Sequence, residues 1–475
     1  MKVFFSIPLF LSLSLSAQAE KPMNFILILV DDLGWMDLSC QGSRYYETPN
    51  LDRLAAQGMR FTNAYAACAV CSPTRAAIQT GRYPARLGVT DWIRSRFQGG
   101  GIPLDKKNPS GFTGGSRKFL VPKNALWMES AEITIAELLK PAGYVSCHIG
   151  KWHLGADDWY PQKQGYDFNY GGCDYGQPPS YFDPYNKPTH RHAMIRAGIP
   201  HLPGRKPGQY LSDREAEEAV AFIEKHKDKP FFLNMDNYAV HTPIQAKAEV
   251  TAKYENKTKT LQKNAKYAAM VESVDDCAGR IMAALEKHGI ADRTMIIFTS
   301  DNGGLRGPTN NAPLRSGKGY AYEGGIRVPL IIKWPGVVKP GTTSAEPVTS
   351  VDYFPTIAEV TGLDLPEGRD IDGLSLAKHL SSQGKQKLSR DAIYWHFPHY
   401  RHNPGPYSII REGDWKLIKF YEGPMELFDL NKDIGETKNL AAAMPGKVKE
   451  LESRLLAHLK SVGAKMPKLN PAAKN

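Results

Sequence analysis

Cys71 stands where a nucleophile would be well placed, at the start of a predicted helix. Pro73 fits the first turn of a helix, residues 76–78 continue it, and Gly81 is typical of a C-terminal end. Backbone N–H groups at a helix N-terminus have no partner within the helix, and with the helix dipole they favour a developing anion. The same pattern also fits a structural cysteine that is buried before a helix.

Two pairs of polar residues follow apolar runs that predict buried parallel strands. Asp31 and Asp32 come after residues 24–30, and Asp301 and Asn302 come after residues 294–299. Ligands of open α/β sheets bind at the carboxyl ends of the strands. All four side chains offer hard oxygen atoms, which suit Ca²⁺ or Mg²⁺ rather than zinc. Either pair alone is also typical of a turn or a helix cap.

The run that begins at Cys71 resembles the signature of type I sulfatases. It reads Cys71-Ser72-Pro73-Thr74-Arg75-Ala76-Ala77-Ile78-Gln79-Thr80-Gly81-Arg82. The resemblance implies that Cys71 is oxidised to formylglycine (3-oxoalanine), whose hydrate is a geminal diol with an oxygen that attacks sulfur. It also implies a formylglycine-generating enzyme as a partner during maturation. Thr74 replaces the more frequent serine, at a position that tolerates small residues.

Further motifs extend this resemblance in the family's order from residue 24 to about residue 352, and more loosely through 415–417. It implies one metal ion per chain, Ca²⁺ rather than Mg²⁺, with these ligands: Asp31, Asp32, Cys71, Asp301 and Asn302. The implied catalytic residues are Cys71, Arg75, Lys151, His153, His241 and Lys318. Of these, Arg75 would steady the formylglycine hydroxyl and Lys318 would bind sulfate. His241 would protonate the leaving oxygen, and His153 would be the base that releases sulfate.

Strands that alternate with helices predict an α/β domain with a mostly parallel sheet. The resemblance implies an alkaline phosphatase-like fold, with a mixed, mostly parallel sheet flanked by helices. Residues 96–130 predict a long surface excursion, because they are rich in Gly, Pro, Lys and Arg. Beyond residue 385, short apolar segments predict an antiparallel sheet and a closing helix. We therefore divide the chain into a signal peptide (1–19), a catalytic domain (20–385) and a C-terminal α+β subdomain (386–475).

The first residues predict export to the periplasm or the cell exterior. Lys2 precedes an apolar run at 3–15, and Ala17-Gln18-Ala19 is a cleavage pattern that places the mature start at Glu20. No later segment approaches about 18 uninterrupted apolar residues, so we expect no membrane span. The formal net charge of +11 is consistent with an anionic polysaccharide as the substrate. Because the sequence has no nucleic-acid-binding motif, we do not expect nucleic acid as a partner. The six cysteines are too sparse for a disulfide scaffold.

We expect the substrate to be a sulfated carbohydrate, such as a glycosaminoglycan or algal polysaccharide fragment. A phosphonate or phosphodiester hydrolase of the same superfamily is the alternative enzyme, because phosphate and sulfate esters have similar shape and charge. An unmodified Cys71 would instead leave a non-catalytic binder of sulfated glycans. Residues 395–402, which are rich in aromatic side chains and histidine, either edge the cleft and bind sugar or form a strand end with a solvated loop.

The first prediction concerns Cys71. Peptide mass spectrometry across residues 71–82 should show formylglycine at position 71 when the protein is made together with the maturation enzyme. Cys71→Ala should keep the fold, as judged by circular dichroism, and lose all turnover. A Cys71→Ala protein with full activity would contradict the assignment.

Overall fold

The computed structural model describes residues 22–98, 101–202 and 206–473, so the predicted signal peptide at 1–19 lies outside the described residues. The strands in these ranges are β1 (Asn24–Val30), β2 (Met59–Phe61), β3 (Ala64–Tyr65), β4 (Phe112–Thr113), β5 (Phe119–Pro122), β6 (Val145–Gly150), β7 (Phe168–Tyr170), β8 (Phe231–Asn237), β9 (Thr294–Ser300), β10 (Leu330–Lys333), β11 (Thr342–Ser344), β12 (Val348–Thr349), β13 (Ile393–Phe397), β14 (Tyr407–Glu412), β15 (Trp415–Phe420), β16 (Glu426–Asp429) and β17 (Lys468–Leu469). The helices are α1 (Pro49–Gln57), α2 (Cys71–Thr80), α3 (Pro84–Leu87), α4 (Ile135–Leu139), α5 (Ala193–Ala197), α6 (Leu211–His226), α7 (Ala248–Glu255), α8 (Ala265–Lys287), α9 (Glu323–Ile326), α10 (Tyr353–Thr361), α11 (Ala377–Ser381) and α12 (Pro445–Ser461). None of these helices combines the length and apolar character needed to cross a membrane.

An eight-stranded mixed sheet forms the centre of the molecule, in the order β11-β2-β10-β9-β1-β8-β6-β7. Strand β1 pairs in parallel with both β8 and β9, and β6 pairs in parallel with β8 and β7. Strand β10 runs antiparallel to β9 and β2. The predicted fold class, a mostly parallel sheet with flanking helices, is confirmed.

Both faces of β1 are buried because its seven residues are apolar apart from Asn24. Successive side chains of a strand point to opposite faces. Ile26 and Ile28 pack in one core with residues of α1, α6 and α8, whereas Phe25 and Leu27 pack in the other with residues of α2, α4 and α10. Helices therefore cover the sheet on both sides, and only its edges and strand ends are left for ligands.

A second sheet near the C-terminus is antiparallel, in the order β13-β14-β15-β16. Leu451 and Leu455 of α12 pack on one face of it against Ile410 and Leu417. The other face packs against Val70, directly before α2, and against other residues of the central domain. The antiparallel sheet therefore lies between α12 and the segment that precedes Cys71. The division at residue 385 stays a prediction.

The excursion after α3 is anchored by the end of the chain. Strand β5 pairs with β4 and also with β17, which follows α12. The Asn470 side-chain amide donates to the backbone carbonyls of Gly115 and Arg117, at 2.9 and 2.8 Å. The sequence predicted a helix as the last element, so this closing strand was missed.

A buried charge network joins the antiparallel sheet to the central domain. Lys416 of β15 contacts Glu323 of α9 at 2.9 Å and Glu436 at 2.7 Å, and all three side chains are fully buried. Arg327 pairs with the other Glu323 oxygen at 2.7 Å. Burial and the nearby Glu323 carboxylate raise the pKa of Glu436 to about 7, although Lys416 opposes this. If one of these charged side chains is removed, its partner is left as an uncompensated buried charge, and the folded protein is strongly destabilised.

The second prediction tests this network. Lys416→Met should lower the free energy of unfolding by about 3–5 kcal/mol, because Glu323 and Glu436 would face each other without their shared cation. Lys419→Met is the matched control on the same strand. This substitution breaks a partly exposed ion pair with Glu452 and should lower the free energy of unfolding by only about 0–1 kcal/mol. Urea unfolding at fixed pH measures both, and equal losses would contradict the buried-network assignment.

Candidate active site

The carboxyl ends of strands β1, β6 and β9 are followed by predicted polar residues. Asp31 follows β1, Asp301 follows β9 and Lys151 follows β6, and all three are completely buried. Asp32 has a positive φ of 63°, which turns the chain sharply after the strand. Because β6, β8, β1 and β9 are parallel neighbours, these strand ends converge at one edge of the sheet.

Arg75 of α2 holds this edge together. Its guanidinium donates to Asp301 Oδ2 at 2.9 Å, to the Lys151 carbonyl at 2.7 Å and to Asp236 Oδ2 at 3.1 Å. It also lies 3.9 Å from Asp31 Oδ1. Burial tends to lower its pKa, but Asp301 and Asp31 outweigh that effect and raise it, so Arg75 is a permanent cation.

Two lysines form ion pairs with the carboxylates of Asp31 and Asp32. Lys151 Nζ lies 2.6 Å from Asp31 Oδ2, and Lys318 Nζ lies 2.5 Å from Asp32 Oδ1. Burial alone would raise the pKa of Asp32, but Lys318 and His241 together hold it below its ordinary range. For Asp31, burial and the neighbouring Asp301 raise the pKa well above the usual value despite Lys151. The edge therefore balances buried acidic groups against buried cations.

Cys71 is the first residue of α2 and is only 4% exposed. Its Sγ and one carboxylate oxygen each of Asp31 and Asp301 lie within 4.8 Å of one another. Burial raises the pKa of the thiol although Lys151 and Lys318 oppose this. The six cysteines are all free in the described residues, so Cys71 and Cys68 do not form a disulfide.

The two predicted histidines face the same cavity as Cys71. His153 Nε2 lies 2.7 Å from the Ile93 carbonyl, so this nitrogen donates and Nδ1 is left buried without a partner. His241 Nδ1 lies 2.9 Å from the Thr242 carbonyl, and its Nε2 lies 3.6 Å from Asp32 Oδ2. Burial and Lys318 lower the pKa of His241 to about 3, and burial and Lys151 lower that of His153 well below its ordinary value.

The carboxylate edge has the unsatisfied oxygen atoms that a cation would need. Four buried oxygens of this edge lack a hydrogen-bond partner among the described residues: Asp31 Oδ1, Asp32 Oδ2, Asp236 Oδ1 and Asn302 Oδ1. The Asn302 amide nitrogen donates to Asp32 Oδ1 at 2.8 Å, which fixes the amide so that its oxygen stays free. Buried oxygens without partners are costly unless a ligand satisfies them. The residues therefore fit a hard divalent cation, which prefers such oxygen ligands.

A cavity of about 200 Å³ opens above Cys71 and is lined by Val70, Cys71, Trp92, Gln98, His153, Gly176, Gln177, His241, Lys318 and Arg401. The sequence-predicted residues Cys71, His153, His241 and Lys318 thus share one space. Arg75 and Lys151 lie beneath it, with the carboxylates. Arg401 shows that residues 395–402 do edge the cavity, whereas His396 is buried and contacts the Ser408 hydroxyl at 2.7 Å.

Sequence reasoning missed Asp236, the fourth buried acid of this edge. It lies near the end of β8 and shares Arg75 with Asp301. Burial raises its pKa to about 7 although Arg75 opposes this. The available signal was a carboxylate inside an otherwise mostly apolar strand, which needs a buried cation nearby.

Comparisons with known proteins agree with one another. The family model described as Sulfatase matches residues 23–363, and the model described as N-sulphoglucosamine sulphohydrolase, C-terminal, matches residues 316–465. A protein of Formosa agariphila named Sulfatase is 33% identical over 93% of this chain and 88% of its own. N-acetylgalactosamine-6-sulfatase of Mus musculus is 35% identical over 80% of this chain and 70% of its own. The crystal structure of Ps i-CgsB in complex with k-i-k-neocarrahexaose aligns with a TM-score of 0.77 and 31% identity, over 92% of this chain and 93% of that one.

The third prediction concerns the cation. Chelation should lower the temperature of thermal unfolding, because the buried oxygens lose their ligand, and Ca²⁺ should restore it. At an ion concentration of 100 times Kd, binding should contribute about 2.7 kcal/mol. Elemental analysis should find one divalent ion per chain in the native protein and none in Asp31→Asn. The control Asp174→Asn, which removes a buried carboxylate outside this cluster, should keep the ion. An ion retained by Asp31→Asn would contradict the site.

Proposed function

The chain belongs to the sulfatase family, and on that basis we propose that it hydrolyses O-sulfated carbohydrates with a formylglycine made from Cys71. It is a sulfuric ester hydrolase. One observation supports the proposed site best: Cys71 begins a helix beside Asp31 and Asp301 and shares a cavity with Lys318, His153 and His241. This arrangement combines a nucleophile position, cations for sulfate and two proton-transfer groups.

The proposed nucleophile is the hydrate of formylglycine, which a formylglycine-generating enzyme forms by oxidation of Cys71. One diol oxygen would lose its proton to water and attack sulfur, forming a new S–O bond, while the bond between sulfur and the sugar oxygen breaks and His241 protonates that oxygen. The N-terminus of α2 and the lysines at 151 and 318 favour the negative charge that shifts during this transfer. Arg75 lies in the first turns of the same helix and fixes it to the strand ends, so the attacking oxygen is held in place.

We assign protonation of the leaving oxygen to His241. Its Nδ1–H donates to the Thr242 carbonyl, so Nε2 is the nitrogen that would take up and transfer a proton. Burial and Lys318 disfavour the imidazolium in the free protein. A bound sulfate ester brings a negative charge into the same cavity and offsets Lys318, so the proton is taken up together with the substrate.

We assign the second proton transfer to His153. Its Nδ1 is buried, unpartnered and neutral, which suits a base. In the sulfated diol, Nδ1 takes the proton of the remaining hydroxyl, whose oxygen then forms the carbonyl. The bond between that carbon and the sulfate oxygen breaks, and sulfate leaves with the bonding electrons. Water then adds to the aldehyde and restores the diol.

The proposed cation is Ca²⁺, held by Asp31, Asp32, Asp301, Asn302 and the modified Cys71. All four unmodified side chains offer hard oxygen, and Ca²⁺ accepts more oxygen ligands in looser geometry than Mg²⁺ does. When bound, such an ion polarises the sulfate group and neutralises part of its charge. One equivalent of zinc without calcium in the purified protein would contradict this choice of ion.

The proposed substrate class follows from the relatives and from the charge. Ps i-CgsB was crystallised in complex with k-i-k-neocarrahexaose, and the mouse relative is named N-acetylgalactosamine-6-sulfatase. A net charge of +11 favours an anionic polymer. We further propose that residues 1–19 direct export to the periplasm or cell exterior and are removed before Glu20.

The fourth prediction tests the reaction and the two histidines together. The matured protein should hydrolyse a sulfated sugar and an aryl sulfate much faster than the matching phosphate esters. His241→Ala should lose about 10²–10⁴-fold in rate on the sulfated sugar, whose alkoxide leaves poorly, and far less on nitrophenyl sulfate. His153→Ala should slow both substrates to a similar limit and accumulate sulfated enzyme, detected by intact mass.

Each alternative has its own signature in this experiment. Faster turnover of phosphate or phosphonate esters would favour the other hydrolase class of the superfamily. Tight binding of sulfated glycan without turnover by the formylglycine form would favour a binder. Equal losses for His241→Ala on the sugar and on the aryl substrate would show that His241 is not the acid.

A further inference from the structure

A second and larger cavity, of about 630 Å³, adjoins the catalytic cavity. Trp92 lines both cavities, and Arg401 of the first cavity directly follows Tyr400 of the second. The larger cavity, here called the side cleft, is bounded by residues 91–94, by the excursion at 109–126 and by residues 399–400. A glycan with its sulfate at Cys71 can extend past Trp92 into this space.

We infer that the side cleft binds a second sulfate group, carried by a neighbouring sugar of the same glycan. This inference rests on the proposed function, because it assumes that a sulfated carbohydrate occupies the catalytic cavity. It adds to that function a requirement for at least two sulfate groups on adjacent sugars for full affinity.

The side cleft is lined by basic side chains that have no acidic ion-pair partner in the described parts of the chain, and this feature favours an anionic ligand. Arg94, Arg117 and Lys123 line the side cleft, and all three are exposed. No carboxylate of the described residues forms an ion pair with any of them, whereas about half of the other arginines of these ranges have such a partner. The lining contains one acid, Asp91, which accepts from the Trp92 backbone N–H at 2.8 Å. The side cleft therefore carries excess positive charge next to the catalytic cavity.

Besides its positive charge, the side cleft has aromatic side chains, which are a common feature of carbohydrate-binding sites. Trp92 and Tyr400 are partly exposed in its lining. The Arg117 guanidinium lies 4.2 Å from the centre of the Tyr400 ring, and that of Arg94 lies 5.7 Å from the Trp92 ring. A stacked guanidinium keeps its in-plane N–H groups free for an anion. Cations and ring faces thus lie within reach of one sulfated sugar.

The wall that carries Arg117 and Lys123 is held in place by the rest of the chain. Strand β5 lies between these two residues and pairs with β4 and β17. Asn470 binds the Arg117 carbonyl, and Tyr400 accepts the Phe119 backbone N–H at 3.0 Å. A wall with these connections presents its cations at fixed positions, which lowers the entropy lost when an anion binds.

A third cavity next to the catalytic cavity does not have this positive charge. It is about 220 Å³, shares Gln177 with the catalytic cavity and offers one lysine, Lys187, together with His190. Its size and charge favour a smaller or less anionic part of the glycan. The side cleft is accordingly the better match for a second sulfate.

Competition experiments with two probes test the inference. Inorganic sulfate reports on the catalytic cavity, and sucrose octasulfate, a disaccharide sulfated on both rings, can reach the side cleft as well. Both are measured as inhibitors of nitrophenyl sulfate hydrolysis by the matured enzyme. In the double variant Arg117→Gln/Lys123→Gln, the Ki for sucrose octasulfate should rise about tenfold relative to the Ki for sulfate, because two charge-assisted contacts are lost. The salt dependence of that Ki should also become weaker.

Lys118→Gln is the matched control, because it removes an exposed positive charge next to Arg117 but outside the lining. It should leave the ratio of the two Ki values within about twofold. An unchanged ratio in the double variant, or an equal change in the control, would overturn the inference. If the matured protein hydrolyses no aryl sulfate, the proposed function fails. Calorimetric binding of sucrose octasulfate to the native protein and to the double variant then still tests the side cleft.

Discussion

Charge balance at one edge of the central sheet is the constraint on which the site depends. Four acids, at positions 31, 32, 236 and 301, are buried there, and isolated buried charge is prohibitively costly. Arg75 and the lysines at 151 and 318 supply the compensation, and each comes from a different part of the chain. A helix, a strand end and a loop are therefore fixed relative to the sheet by the same ion pairs that shape the cavity. Three carboxylate oxygens and the Asn302 amide oxygen at this edge have no hydrogen-bond partner among the described residues, and these are the groups that a bound cation could satisfy.

Much of the fold and site could be predicted because the signals are local. Strands β1 and β9 are uninterrupted apolar runs, and their polar successors fall at the sheet edge by the geometry of parallel strands. Pro73 and Gly81 marked the helix that begins at Cys71. The resemblance then supplied residues such as His241 and Lys318, which no local pattern would single out. The structure brings them to one cavity, while their chemical roles are proposals.

The remainder could not be predicted because it depends on contacts between distant segments. A buried acid such as Asp236 in a mostly apolar strand is explained only by its contact with Arg75, which is distant in the sequence. The excursion at 96–130 has no periodicity, so its walls and its partner strand β17 could not be inferred from composition. The antiparallel sheet was predicted from its short apolar segments, but its contact with Val70 and the ion pairs of Lys416 were not.

The pairing of β17 with β5 has a consequence for how the protein acquires its binding surface. The residues that it joins are separated by about 350 positions, so this contact closes one of the longest loops in the chain. During synthesis the sheet edge around Cys71 can assemble once residue 318 and its neighbours have emerged, but the wall beside it also needs residues 468–470. The sheet edge around Cys71 and the wall of the side cleft thus depend on segments that are synthesised at different times. Substitutions at residues 468–470 can therefore change the wall of the side cleft while the buried ion pairs of the sheet edge stay intact.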